Sequence, residues 1–244
     1  MTNRRFVFIC PTYNAAETCR QTILSVAAQS YTNWHMIVIN DMSTDDTSRT
    51  ILQLFNALGL SSKLTYIFNE TKKWEIENTL MGLNLCKDDD IVCRLDMDDY
   101  LTENNALEII NVVYDSSNMV DCVWTAHRWF DENGLTNRNI SGNLPPGSNP
   151  YKHPWVSSHF KTFKASLVKN INDANFRGED GNYFKRIGDQ TFMLPALHNA
   201  KGWQFIPMPM YAYRCPMKPE TFQTDDAKFQ AAEGIYLRNR GYVK

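Results

Sequence analysis

Residues 5–95 hold four short apolar runs: RFVFIC (5–10), WHMIVIN (34–40), KLTYIF (63–68) and DIVCRL (90–95). Between them lie three stretches of helical character, 15–30, 45–58 and 73–87. In 15–30 the residues Ile23, Leu24, Val26 and Ala27 fall on a shared side at helical spacing. Ser43-Thr44-Asp45-Asp46 supplies N-cap chemistry for the second helix, and Gly59 stands where that helix should stop. Pro11 is expected to end the first strand. A β-α-β-α-β-α-β order leaves few folds open, because strands joined by helical crossovers pair in parallel and carry helices on both faces. Ligands of such sheets bind at the carboxyl ends of the strands. The loops PTYN, NDMSTDD, FNETKK and DMDD all follow strands, so all of them should gather along one edge.

The second half is less regular. A helix is expected over 102–116, a strand over 119–126, and a hairpin turn at Asn133-Gly134. SGNLPPGSNPYKHP (141–154) reads as a long loop, of the kind that closes over ligands. A short helix near 164–170, a helix over 189–199, the strand-like WQFIPMPMYAYRC and a final helix over 219–239 complete the pattern. The expected organisation is one domain: a first half (1–100), a second half (101–218) and a terminal helix (219–244).

A chain of 244 residues is long enough to bury a sizeable core. A net charge of −2 gives no global pull toward nucleic acid or anionic membrane. None of the six cysteines form a C-x-x-C pair, and several sit in apolar runs, so reduced thiols and a cytoplasmic setting are expected. The N-terminal apolar run is too short for a signal peptide core, and no segment reaches the ~20 apolar residues of a membrane span.

The fourth apolar run ends on Asp96-Met97-Asp98-Asp99. Like charges this close repel one another. In extended backbone, residues two apart point to one side, so Asp96 and Asp98 can share a divalent cation. Hard oxygen ligands suit Mg²⁺ or Mn²⁺, and Mg²⁺ commonly binds one or two carboxylates plus substrate phosphates. The plainer role, capping the helix that begins near Thr102, is also open to Asp98 or Asp99.

FVFICPTYNAAETCRQTILSVAAQSYTNWHMIVINDMSTDDT resembles the opening of the family 2 glycosyltransferases, which have the GT-A fold. GLNLCKDDDIVCRLDMDDYL, SHFKTFKASLVKNI and IPMPMYAYR resemble further segments of that family, in order along most of the chain. The resemblance implies a Rossmann-like, mostly parallel sheet with a smaller mixed acceptor-side half. It implies a nucleotide-sugar donor, most often a UDP-sugar, a divalent metal (Mn²⁺ or Mg²⁺) and inversion at the sugar carbon. By position, Pro11, Thr12 and Tyr13 would line the nucleoside, Asp41 would accept from uracil, and Arg94 would approach the diphosphate or ribose. Asp96 and Asp98 would hold ribose and metal. Two departures stand out. Met42 replaces a glycine common in the family, and the Arg-Asn that often precedes the third helix's glycine is absent before Gly82. Lys72, Lys73 and Arg214 are candidates for the missing diphosphate contact, though a solvated helix start is the plainer reading of the two lysines.

An inverting transferase needs a carboxylate to take the acceptor's proton. Asp189 in RIGDQTF matches the family's late-helix position, with Asp180 in RGEDGN as the second candidate. For Asp189 an ordinary N-cap is the competing role, and for Asp180 a solvated loop. His127 and His159 are candidates for an acceptor groove, whereas His35, His153 and His198 read as structural. Trp124, Trp129 and Trp155 can stack on sugars or fill the core. The acceptor class stays open among glycans, polyol phosphates, proteins and modified nucleic-acid bases. Three rival functions are weighed: a catalytically inactive nucleotide-sugar-binding module, a nucleotidyltransferase, whose glycine-rich first loop is missing here, and an aspartate-nucleophile phosphatase, whose motif closes the first strand and not the fourth.

Overall fold

The structure is a computed structural model that describes residues 2–215 and 224–244. Strands β1 (Phe6–Thr12), β2 (Trp34–Asn40), β3 (Leu64–Phe68) and β4 (Ile91–Arg94) alternate with helices α1 (Cys19–Ala27), α2 (Thr47–Ala57) and α3 (Trp74–Asn84). These strands lie in the order β3-β2-β1-β4, all parallel. Their residues are apolar on both faces because both faces are covered. Phe6, Phe8 and Cys10 join one core with residues of α1 and α2, while Val7 and Ile9 join a second core with residues of α3. Gly82 in α3 permits that second contact: a Cβ there would lie 2.6 Å from Ile9 Cγ2.

Two expectations are corrected in this half. β1 runs through Pro11 to Thr12 instead of stopping. Its pairing with β4 ends at Ile9, so beyond that point β1 has only β2 as a neighbour and the missing proline N–H costs no ladder bond. Helix α1 buries Cys19, Thr22, Ile23 and Val26, while Leu24 faces outward. Gly59 (φ +67°) does stop α2, with Leu60 N–H bonding Phe55 C=O. At the other end, Asp45 and not Asp46 makes the side-chain bond, accepting from Thr47 N–H at 3.0 Å.

Downstream come β5 (Tyr100–Leu101), α4 (Ala106–Ser116), β6 (Cys122–Asp131), β7 (Gly134–Leu135), β8 (Lys161–Lys164), α5 (Ala165–Lys169), α6 (Gly188–Asn199), β9 (Trp203–Arg214) and α7 (Asp225–Arg240). The sheet continues β4-β8-β6-β9-β5, with β7 hairpinned onto β6 where a turn was expected, though the turn residues are Glu132-Asn133 and Gly134 already pairs with Asp131. Here the pairing is mixed: β8 is antiparallel to both β4 and β6, and β9 is parallel to β6. Strands β5 and β8 were not expected from the sequence. β5 has two residues, and β8 runs without a loop into α5, so neither shows a periodic signal of its own. The expected start of the terminal helix, 219–223, lies outside the described residues; α7 is observed from Asp225. Among the described residues no helix is long and apolar enough to cross a membrane.

The loop 141–154 is not a cover over the strand ends. Trp124 Nε1 donates to Gly142 C=O at 2.9 Å and Trp203 Nε1 to Leu144 C=O at 2.8 Å. Leu144 and Tyr151 are buried in the second core, which pins the loop to the body of the protein.

Candidate active site

The loops after β1 to β4 converge, as expected, on a cavity of about 810 Å³ at the carboxyl ends of the strands. Pro11, Thr12, Tyr13, Asp41, Asp96, Asp98 and Arg214 all line it. Arg94 does not. Its guanidinium is buried below the floor, donating to Thr79 Oγ1 (2.7 Å) and Glu75 Oε1 (2.7 Å). Asp180 reaches neither this cavity nor the adjoining one. It is exposed in a turn and accepts from Asn182 N–H and Nδ2.

The loops are held by one another. Asn14 N–H donates to Ser43 Oγ, and Asn14 Oδ1 accepts from Thr44 N–H. Thr18 and Thr22 at the start of α1 donate to the C=O of Met97, and Thr22 also bonds Asp99 C=O. Asn14, Met42 and Trp74 are the described non-glycine residues with positive φ: the first two sit in the loops after β1 and β2, and Trp74 opens α3. Left-handed backbone at a side-chain-bearing residue costs free energy and clusters where a site is shaped. Met42 (φ +66°) shows why this position favours glycine.

Asp41 is buried, and its carboxylate is already engaged. Oδ1 accepts from Asn69 Nδ2 and Lys73 N–H, and Oδ2 accepts from Trp74 N–H. Burial opposes its ionisation, but these donors outweigh burial and hold the carboxyl below its ordinary value. Asp41 therefore anchors the start of α3. Lys72 is not at a solvated helix start. Its ammonium lies 3.1 Å from the Tyr13 ring centroid and 3.5 Å from Asp41 Oδ2, inside the cavity. Lys73 does turn away and pairs with Glu77.

The acidic cluster divides. Asp99 is buried and accepts from Tyr211 OH (2.7 Å) and Arg214 N–H (2.6 Å), so it locks the loop to β9. Asp96 and Asp98 open to the cavity. Asp98 makes no side-chain hydrogen bond among the described residues, and the protein packed round it together with Asp96 raises its carboxyl to about 6. Asp96 is raised by the same enclosure and by Asp189, against the pull of Arg94. Two crowded carboxylates, of which Asp96 has only the Arg94 guanidinium at 3.7 Å, suit Mg²⁺ or Mn²⁺ chemically. Among the described residues no three His, Cys, Asp or Glu side chains gather into a full cation site, so further ligands would come from a bound phosphate or water.

A second cavity of about 690 Å³ adjoins the first and shares Glu75, Asp96, Arg186 and Tyr213 with it. Asp189 lines this second cavity together with His127, His159, Trp129 and Trp155. Asp189 does not cap α6. Its Oδ1 lies 2.5 Å from the buried Lys161 ammonium. Burial opposes its ionisation, and the charge of Lys161 overcomes this and lowers the carboxyl to about 2. Glu75, between the two cavities, is pushed up to about 7 by burial, against Arg94 and with Asp96 and Asp189 adding to the shift. Gly188 makes room for it: a Cβ there would sit 1.7 Å from Glu75 Oε1. Trp124, by contrast, is core, and His35, His153 and His198 line neither cavity. The sequence reading missed Glu75, Lys161, Arg186 and Tyr213. Lys161 and Lys164 stand three apart, so on a strand they face opposite sides, and nothing local announces that Lys161 is the buried one.

Residues 7–171 match the family model described as Glycosyl transferase family 2. The "Putative glycosyltransferase EpsE" of Bacillus subtilis (strain 168) is 31% identical over 163 residues, 62% of this chain and 56% of that protein, so the match takes in little more than half of that relative's length. The crystal structure of S. aureus TarS 1-349 in complex with UDP-GlcNAc superposes with a TM-score of 0.69 at 19% identity, over 90% of this chain and 61% of that one. The mannosyltransferase PcManGT from Pyrobaculum calidifontis, in complex with GDP-Man and Mn²⁺, gives 0.66 at 16% identity, over 98% and 65%. At these identities the two structures establish the shared GT-A-like fold.

Proposed function

The chain belongs to glycosyl transferase family 2, and on that premise we propose that it moves a sugar from a UDP-sugar to an acceptor hydroxyl, with a divalent cation and inversion at the sugar carbon. The observation that carries this reading is the pairing of two partly crowded carboxylates, Asp96 and Asp98, with the basic side chains of Lys72, Arg186 and Arg214 around one strand-end cavity. That charge pattern complements a cation-bound diphosphate.

In this reading Pro11, Thr12 and Tyr13 receive the nucleoside. Asp41 shapes that subsite by fixing α3, and a uracil N–H reaches Oδ2 by displacing Lys72. Arg214 is held at the wall by its own bonds to Asp98 C=O (2.9 Å) and Gln21 Oε1 (2.8 Å). A cation held by Asp96 and Asp98 would supply positive charge to the departing diphosphate. The acceptor enters the second cavity, where the half-buried Trp155 can meet a sugar ring, while Trp129 is buried with Arg138 over its ring at 3.8 Å. Asp189 takes the hydroxyl proton as the oxygen bonds to the sugar carbon. The bond from that carbon to the diphosphate oxygen breaks on the opposite side, and UDP leaves with its electron pair. The inactive-module alternative predicts binding without turnover. Cys10, Cys19, Cys86, Cys93 and Cys122 are buried thiols that form no disulfide, which supports a reducing, cytoplasmic setting.

The test is a melting panel of UDP, UDP-glucose, UDP-GlcNAc and GDP-mannose, with and without Mn²⁺, on the wild type and Asp98→Ala. A ligand at a hundred times its dissociation constant should raise Tm by roughly 5–10 °C. A UDP-sugar that stabilises only with Mn²⁺, and not in Asp98→Ala, supports the reading. No shift from any nucleotide at millimolar concentration would overturn it, and stabilisation without UDP release would favour the inactive module.

A further inference from the structure

β8 sets Lys161 behind the second cavity with its side chain almost wholly out of solvent. Its neighbours Phe160 and Phe163 are fully buried as well. An ammonium has three N–H donors, and all are used here. They go to Ser158 C=O (2.6 Å), His159 Nδ1 (3.2 Å) and Asp189 Oδ1 (2.5 Å). Asp189 is the one carboxylate within ion-pair distance of Lys161 among the described residues.

His159 is part of the same arrangement. Its Nδ1 accepts from an ammonium, so the ring proton sits on Nε2. Nε2 lies 3.8 Å from Asp189 Oδ2. The ring is stacked between Tyr211 and Tyr213, with centroids 4.8 and 4.9 Å away. The tautomer and the orientation of the ring are therefore both fixed.

The arrangement has a front and a back. Lys161 is enclosed, whereas about a third of the Asp189 side chain opens to the cavity. Replacing a buried ion pair by apolar residues of similar volume is often neutral or stabilising, so such a pair is a poor device for stability alone. The other charged groups around Asp189 are Arg94 from β4, Glu75 from α3 and Asp96 after β4, with Arg186 and the α7 residue Arg238 on the cavity wall.

We infer that Lys161 is a positioning residue for the acceptor-activating carboxylate: it ties down Oδ1 of Asp189 and leaves Oδ2 to face the acceptor hydroxyl. The inference rests on the reading of Asp189 as proton acceptor. It identifies a second-half lysine, absent from the sequence reading, as part of the machinery. Without Lys161, Asp189 would stand beside Glu75 and Asp96 with less cationic compensation and a free choice of rotamer.

The experiment is a carbon-13 carboxyl NMR titration of the full chain without ligand, in the wild type, Lys161→Met and Lys161→Arg, with Asp189→Asn for assignment. UDP release from UDP-glucose and UDP-GlcNAc with Mn²⁺ is measured in parallel. The Asp189 carboxyl of the wild type should stay ionised far into acid. Its midpoint should rise by about two pH units in Lys161→Met and fall back toward wild type in Lys161→Arg. In Lys161→Met kcat should drop on the order of 10²-fold, with KM for the sugar nucleotide changed less than about threefold. Lys161→Arg should restore part of that loss.

An Asp189 midpoint that is the same in the wild type and Lys161→Met overturns the inference. If Lys161→Met does not fold, the wild type decides: an Asp189 midpoint in the ordinary carboxylate range overturns the pairing. In that case Lys161→Met/Asp189→Asn, which removes both charges, should fold again, and failure to do so counts against the inference too. If Asp189→Asn releases UDP at the wild-type rate while Lys161→Met shifts the titration, the pairing stands and the reading of Asp189 as base fails. If Asp189→Asn is inactive and Lys161→Met matches wild type in both readouts, the inference alone fails.

Discussion

The two halves of the molecule place charge in opposite ways. In the first half the chemically active side chains stand on loops beyond the strand ends, and the strands beneath them are apolar. In the second half the charged and polar groups lie inside: Lys161 and the imidazole of His159 are buried in the sheet region, and His127 is 1% exposed. The first half can thus lose Asp98 without losing packing, whereas Asp41 is tied into the start of α3. The second cannot do so at Lys161, His159 or His127, because each of these is held by another buried polar group. Glu75 and Arg94 are where the two meet, since Glu75 faces both cavities and Arg94 props it from below.

The largest expected effect comes from Asp98, whose side chain has no hydrogen bond among the described residues. Asp98→Ala should lower turnover on the order of 10²–10³-fold, the scale of losing one group that stabilises developing charge. Tm without ligand should stay within about one degree. A large fall in Tm would show that first-half charge is structural as well, and would break the contrast.

Acid should act through the second half. Burial, then the charge of Lys161, lowers His127 to about 4, and burial lowers His159 well below its ordinary value. Both rings are neutral in the fold, whereas the unfolded chain takes up protons near pH 6.5. Their contribution is therefore fully present above about pH 6.5 and is lost as pH falls toward the folded values. For His127 alone the loss amounts to about 3 kcal/mol by pH 4. Urea unfolding between pH 7 and 4 measures it, and His127→Gln should flatten the slope. An unchanged slope would mean that the buried imidazoles are not the acid-sensitive element.

Gly82→Ala probes packing in the first half. The added Cβ meets Ile9 Cγ2 at 2.6 Å in the middle of the sheet. A loss of about 2 kcal/mol is expected in chemical denaturation, since overpacking a dense core forces shifts. A negligible loss would show that the α3–β1 contact is looser than the second half's core.

The smallest effect is expected at Met42. Met42→Gly relieves left-handed backbone that costs about 1–2 kcal/mol, but gives back about 0.5–1 kcal/mol in chain entropy. The net gain should be a few tenths to about 1 kcal/mol. A loss of stability would indicate that the Met42 side chain contributes contacts that outweigh its backbone.

What the sequence determined by itself was the local, periodic part. The β/α alternation of the first half, the stop at Gly59, the turn between β6 and β7 and the convergence of four loops all follow from short-range chemistry, so pattern alone carries them. The same pattern located Asp41, Asp96 and Asp98 beside a cavity, because residues that follow parallel strands share an edge whatever their side chains; Arg214, at the end of β9, was reached through the family resemblance. It could not reveal that Asp41 is used up by α3, that Arg94 sits under the floor, or that Asp99 belongs to β9. Each of those depends on a partner roughly 15 to 115 positions away in the chain. β8 marks the boundary most clearly. Four residues with two lysines carry no signature of a central strand, and they become one only because β4 and β6 close on either side. Only tertiary structure decides that Lys161 faces inward to Asp189 and not outward to water. The physical reason is that the cost of burying a charge is met by a partner, and a partner in another element is invisible to any local pattern.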